Sequence, residues 1–181
     1  MYYPIHIGSK VIDMMNPHPD ELDIPAIEER LKKIVRFSDH PKALTVWQHT
    51  RLTERLVELD YTYSFDASSE HLFEQVRRWA KHHDDHEGVI GDIVYPVKRL
   101  ISDRTNVLEI VEVRLDIAIC QARGFDYPTE QVRGLTHRYD MAAQTLEWLF
   151  AMERPPEPWN PACPPHIMAQ GPELVKWARG L

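Results

Sequence analysis

The sequence predicts an all-α fold, and three observations carry that prediction. Apolar residues recur at three- and four-residue spacing through most of the chain. Capping residues and prolines open these runs, and glycines close several of them. The chain has 181 residues, of which 43% are hydrophobic, enough for one domain with its own core and no disulfide framework. The elements follow in order. Asp23 ahead of Ile24 and Pro25 reads as an N-cap with Pro at the start of a helix. Ile24, Ile27, Leu31, Ile34 and Val35 then carry the period, which predicts a helix over 24–36. Leu44, Trp47, Leu52, Leu56 and Leu59 predict a second over 43–59, just beyond Pro41, and 61–69 reads as a loop. Leu72, Phe73, Val76, Trp79, Ala80 and His83 predict a third, starting at Ser69 and ending near Gly88 or Gly91. Residues 92–101, interrupted by Pro96, predict a short helical or irregular element. A fourth long helix runs from Val107 to about Gly124, and a fifth from Pro128 to about Met152.

The end of the chain differs. Seven of its fourteen prolines fall between Pro155 and Pro172, which excludes a continuous helix. The expectation is one domain over 1–154 with a proline-rich strap over 155–181 packed on it. That strap would dock through Trp159 and Trp177 and carry a short helix at 172–179.

Charge and composition narrow the function classes. Lys and Arg number 21 against 28 Asp and Glu, a net charge of −7, which argues against a nucleic-acid coat. No window reaches the roughly 18 apolar residues of a membrane span, and the start of the chain lacks the layout of a secretion signal. The expectation is therefore a cytoplasmic protein, with its two cysteines reduced. The ten histidines are the unusual feature, because imidazole is the commonest metal ligand and neutral-pH proton carrier.

The densest chemical segment is Lys81-His82-His83-Asp84-Asp85-His86-Glu87, followed by Gly91-Asp92. On a helix, His83 and Asp84 sit about 100° apart, and Glu87 shares a face with His83. Imidazole with carboxylate suits Zn, Mn, Fe, Co or Ni. His82 and His86, four apart on another face, are expected mainly at the surface. A single-helix site needs ligands from elsewhere, and His49 and Asp140 are candidates in the middle of two other predicted helices.

The order His49, His83-Asp84, Asp140 on successive helices resembles the HD-domain phosphohydrolases. The run His83-Asp84-x-x-Glu87, Gly91-Asp92, Pro96-x-Lys98 is similar to the motif of the branch holding 5'-deoxynucleotidases and phage deoxynucleotide phosphohydrolases. So are Ile12 to Pro17, Asp23 to Ile27, Val35-Arg36-Phe37, Thr45 to Thr50, and Asp140 followed by Glu147. The resemblance covers about residues 5–150 and is nearest to the dATP triphosphohydrolases of phages that replace adenine by 2-aminoadenine. Asp85, His86 and Tyr139 depart from the family pattern.

The resemblance implies a compact HD-domain bundle. It implies one divalent transition metal (Zn, Co or Mn) on His49, His83, Asp84 and Asp140, with Mg as a phosphate-bound second ion. Glu87 would act as general base or water orienter and Asp92 as a supporting carboxylate. Arg36 and Lys98 would hold phosphate, and Phe37 and Pro96 would face base or sugar. The implied reaction is dATP plus water to deoxyadenosine and triphosphate. The alternatives are a 5'-deoxynucleotidase acting on dNMPs and a non-catalytic nucleotide-binding HD protein. Relatives form homo-oligomers, so a dimer or hexamer is the expected assembly, in host cytoplasm if the chain is phage-encoded.

Overall fold

The computed structural model describes residues 2–65, 67–155 and 163–181. The fold is essentially all-α, with one two-stranded sheet. Strands β1 (Pro4–Ile7) and β2 (Lys10–Asp13) form an antiparallel hairpin. Seven helices of eight residues or more follow: α1 (Ile24–Leu31), α2 (Val46–Leu59), α3 (Glu70–His82), α4 (Tyr95–Ser102), α5 (Val107–Ala122), α6 (Glu130–Leu146) and α7 (Gly171–Arg179). Among the described residues no helix is long and apolar enough to cross a membrane. Both cysteines, Cys120 and Cys163, are free and buried.

The chain divides into two compact units that it enters alternately: residues 1–39 with 84–127, and 40–83 with 128–181. In the first unit, Asp23 caps α1 by accepting from the Ala26 N–H at 3.2 Å. The same carboxylate accepts from the Ser9 N–H at the hairpin turn, tying hairpin to helix. Gly8 turns the hairpin at φ +59, and a Cβ there would lie 2.3 Å from Asp23 Oδ2, so only glycine permits this approach. The inward side of the hairpin, Ile7 and Ile12, is fully buried. A helical turn at Glu87–Ile90 packs against α1, and Gly88 allows the approach: a Cβ would meet Ile27 Cγ2 at 2.6 Å.

In the second unit, α2, α3 and α6 pack on one another, and α7 lies against α2. Leu52, Leu56, Val57, Val76, Ala143 and Leu146 are fully buried there. A capping box at Thr45 and Gln48 fixes the start of α2, and Thr129 caps α6. Beyond α6 the backbone widens into a π-helical turn at Glu147–Ala151.

Several boundaries differ from the sequence reading. The first helix stops at Leu31 rather than 36. Phe37, Ser38 and Asp39 then take φ values of 56, 55 and 57, a left-handed turn that apolar periodicity does not reveal. The third helix ends at His82, short of Gly88. Residues Tyr61–Ser64, expected in a loop, form a single helical turn. Pro96 starts α4 instead of interrupting it. The N-terminal hairpin was not anticipated. Of the proline-rich strap, 156–162 with Trp159 lie outside the described residues; 163–181 carry α7 where a short helix was expected, plus a helical turn at Pro165–Met168.

Candidate metal centre

In the second unit three side chains converge. His49 projects from α2, His83 stands at the C-cap of α3, and Asp140 lies on α6. His49 Nε2 is 3.0 Å and His83 Nε2 is 3.8 Å from the same atom, Asp140 Oδ1. The two rings lie 5.6 Å apart, centroid to centroid. Their far nitrogens are fixed. His83 Nδ1 donates to the Ala80 carbonyl at 2.8 Å, and a carbonyl can only accept, so in the neutral ring Nε2 carries the lone pair. His49 Nδ1 donates to Glu147 Oε1 at 2.5 Å, with both side chains completely buried. An imidazole oriented by a carboxylate on one nitrogen, with the other facing a ligand, is the arrangement that holds histidine for a metal.

Burial would raise the Asp140 pKa, but hydrogen bonds from His137, His49 and His83 outweigh it and hold the carboxyl well below the usual range. Asp140 is therefore an anion at neutral pH. Glu147 lies two helical turns beyond Asp140, on the same face. The sequence reading noted this spacing but gave Glu147 no task; the structure places it behind His49.

The first unit holds the rest of the predicted residues. Asp84 Oδ2 accepts from buried Arg36 Nη1 at 3.2 Å. Ligand atoms of Asp84, His86 and Glu87 lie within 4.8 Å of one another. Lys98 Nζ stands 3.6 Å from Glu87 Oε1 and 3.1 Å from Glu112 Oε1. Burial, with the nearby Asp84 charge, pushes the Glu87 carboxyl up to about 7 against the opposing pull of Arg36, His86 and Lys98. Burial would lower the Lys98 pKa, but Glu87, Asp84 and Glu112 more than compensate and keep the amine above its ordinary value.

One sequence assignment changes here. His86 was expected at the surface, but it is 6% exposed and bonds through Nδ1 to Asp116 Oδ1 at 2.9 Å. The helical wheel extended past His82 puts His86 on the wrong side. In fact the chain tightens, with Glu87 N–H bonded to Asp84 O and Gly88 N–H to Asp85 O, three-residue steps that re-aim the side chains. Burial disfavours the charged imidazole, yet the Asp116 charge and hydrogen bond, with Glu87 and Asp84, push its pKa up to about 10. His82 is half-buried.

The remaining candidates are placed as follows. Asp92 Oδ2 accepts the Phe37 N–H at 3.1 Å, bracing the left-handed turn. Phe37 is half-buried, with the Arg36 guanidinium 5.3 Å from its ring centre. Pro96 is exposed at the start of α4. Asp85, a departure from the family pattern, is buried against Arg123 Nε at 2.8 Å. Tyr139, another departure, donates to buried Asp60 at 2.8 Å, which also bonds His166 Nε2 at 2.6 Å.

Buried His, Asp and Glu clusters in this chain have the donor chemistry to hold a metal ion. No family model matches the chain, and no characterised protein is significantly similar to it.

Proposed function

We propose that the protein is a metal-dependent phosphohydrolase of deoxynucleotides, with dATP cleaved to deoxyadenosine and triphosphate as the first-choice reaction. One observation carries the reading: His49 Nε2 and His83 Nε2 face one oxygen of ionised Asp140, each ring held by a hydrogen bond on its other nitrogen. Asp84, the next residue after His83 in the chain, would complete the ligand set. The resemblance to HD-domain enzymes supplies the substrate class.

His49, His83, Asp84 and Asp140 would hold the ion, which when bound lowers the pKa of water and polarises phosphorus. Everything else falls to the chain. Arg36 offers a planar fork, and Lys98 a point charge, to phosphoryl oxygens as negative charge develops on them. Glu87, buried beside Lys98, orients the attacking water and accepts its proton. Phe37 and Pro96 are the candidates to meet base or sugar.

The test is a panel of dNTPs, NTPs and dNMPs offered to protein stripped by chelator and reloaded with Zn, Co, Mn or Mg. Metal-dependent release of tripolyphosphate from dATP supports the reading. Orthophosphate from dNMPs instead identifies a 5'-deoxynucleotidase. Failure to cleave any deoxynucleotide with any metal refutes both.

A further inference from the structure

We propose that the outer face of α2, with the groove between it and α7, is a self-association surface whose occupant is a second copy of this chain. None of its residues belongs to the site of the proposed reaction. The groove lies wholly within the second unit and measures about 830 Å³, room for the side chains of a docking protein to enter. Trp47, Leu174, Trp177 and Leu181 supply its apolar lining. Trp177 is 43% and Leu181 56% exposed, so the described residues leave much of this lining open. Tryptophan is enriched where protein surfaces meet.

The charges decide the occupant. Arg51, Glu54, Arg55 and Glu58 recur along one face of α2 at helical spacing. Intrachain pairs hold them in place: Arg51 to Glu54 at 3.1 Å, Arg55 to Glu58 at 2.9 Å, and Arg77 of α3 to Glu54 at 2.9 Å. A guanidinium has five donors and a carboxylate about four acceptor positions, so these pairs leave capacity for partners across an interface. A two-fold interface brings the same patch of both copies together, which requires that the patch complement itself. This one does. With the axis crossing α2 between Glu54 and Arg55, the two helices run antiparallel, Arg51 meets Glu58 of the second copy and Glu54 meets its Arg55, each contact occurring twice. The groove has the same polarity. Gln48 Nε2 donates to the Arg179 carbonyl at 3.4 Å, so α7 ends where α2 begins. Arg51 therefore stands toward the end with Trp47 and Trp177, and Glu58 and Glu173 toward the other. Antiparallel docking lays the basic end of one copy over the acidic end of the other, whereas a partner of one charge sign would meet repulsion at one end.

The experiment is sedimentation velocity on the full chain over a concentration series, with circular dichroism and thermal melting of each variant as fold controls. The native chain should form a dimer that loosens as salt is raised. Arg51→Glu places a carboxylate opposite Glu58, and Glu58→Arg a guanidinium opposite Arg51, so each variant alone should dimerise at least about tenfold more weakly. Their equimolar mixture should recover the dimer, because in the mixed pair both altered contacts again join opposite charges. Trp177→Ala, at an exposed position where folding is least at risk, should weaken dimerisation as well. A native chain that stays monomeric throughout, folded variants that dimerise as tightly as the native chain, or a mixture that associates no better than its components overturns the proposal. None of these outcomes touches the metal-centre reading, whose test is hydrolysis.

Discussion

Replacing Glu147 by Gln isolates what the buried carboxylate does for His49. Gln has nearly the same shape, and its amide oxygen can still accept from Nδ1, which stands 2.5 Å from the present carboxylate. What is lost is the charge. A hydrogen bond to a charged group contributes about 1.5–3 kcal/mol and a neutral one about 0.5–1.5, so the metal-free protein should lose about 1 kcal/mol. For a chain of this size that is a fall in Tm of about 2–4 °C. The effect on metal should be larger. Removing a partner that orients a ligating histidine costs about 10–100-fold in affinity, or about 1.4–2.8 kcal/mol at 1.4 per decade. Competition between the protein and a chromophoric chelator for Co(II) measures this directly, with scanning calorimetry of the metal-free form as the control. Glu147→Gln binding cobalt as tightly as the native chain, while His49→Ala binds weakly, would show that the carboxylate does not tune the ligand.

Two further outcomes follow from packing and from capping. Gly88→Ala places a Cβ 2.6 Å from Ile27 Cγ2 and 2.9 Å from the Ile27 carbonyl, so it should cost about 1–3 kcal/mol through overpacking; an unchanged denaturant midpoint would contradict that contact. Asp23 has its pKa lowered from 3.8, chiefly by the Ser9 and Ala26 N–H groups, with Lys10 adding to it. The folded state therefore holds the proton less tightly than the unfolded one, so Asp23 contributes stability above about pH 4 that is lost as pH falls through its folded pKa. The stability gap between the native chain and Asp23→Asn should shrink on acidification below pH 4, and a gap constant with pH would refute the assignment.

The parts of the fold legible in the sequence are those whose cause is local. Asp23-Ile24-Pro25 is a cap whose partner lies within one turn, and the helix it opens begins at Ile24 as expected; Thr45-x-x-Gln48 is equally local, and it starts the second helix at Val46 rather than at 43. The end of the first helix was misread because Ile34 and Val35 keep the apolar period although the helix has already stopped at Leu31. Phe37, Ser38 and Asp39 adopt positive φ without a glycine among them, held from outside by the Asp92 carboxylate, and periodicity carries no trace of that. The hairpin did leave a signal, the alternation Ile5-His6-Ile7 running into Gly8-Ser9 and followed by Val11-Ile12, which a search for helical spacing passes over. The site divides in the same way. His49, His83 and Asp140 were legible as residue types on separate helices, whereas the carboxylate behind His49, that of Glu147, depends on how α2 and α6 pack.

The buried pairs of imidazole and carboxylate argue for function on energetic grounds. Taking two such groups out of water costs several kcal/mol per ion, and well-packed apolar residues of similar volume often serve stability as well or better. Nothing in the packing of α2 against α6 requires His49 and Glu147; leucines like the fully buried Leu52 and Leu146 nearby would fill such space without desolvation cost. The same holds for His86 and Asp116, whose neighbours Leu115 and Ile119 are already apolar and buried. The pair of His49 and Glu147 instead does one thing that an apolar pair cannot: it fixes which nitrogen of the neutral ring carries a proton and which faces the open cluster. That nitrogen faces Asp140. The second unit therefore contains a buried imidazole, His49, oriented for coordination and embedded where an unoriented histidine would only weaken the core.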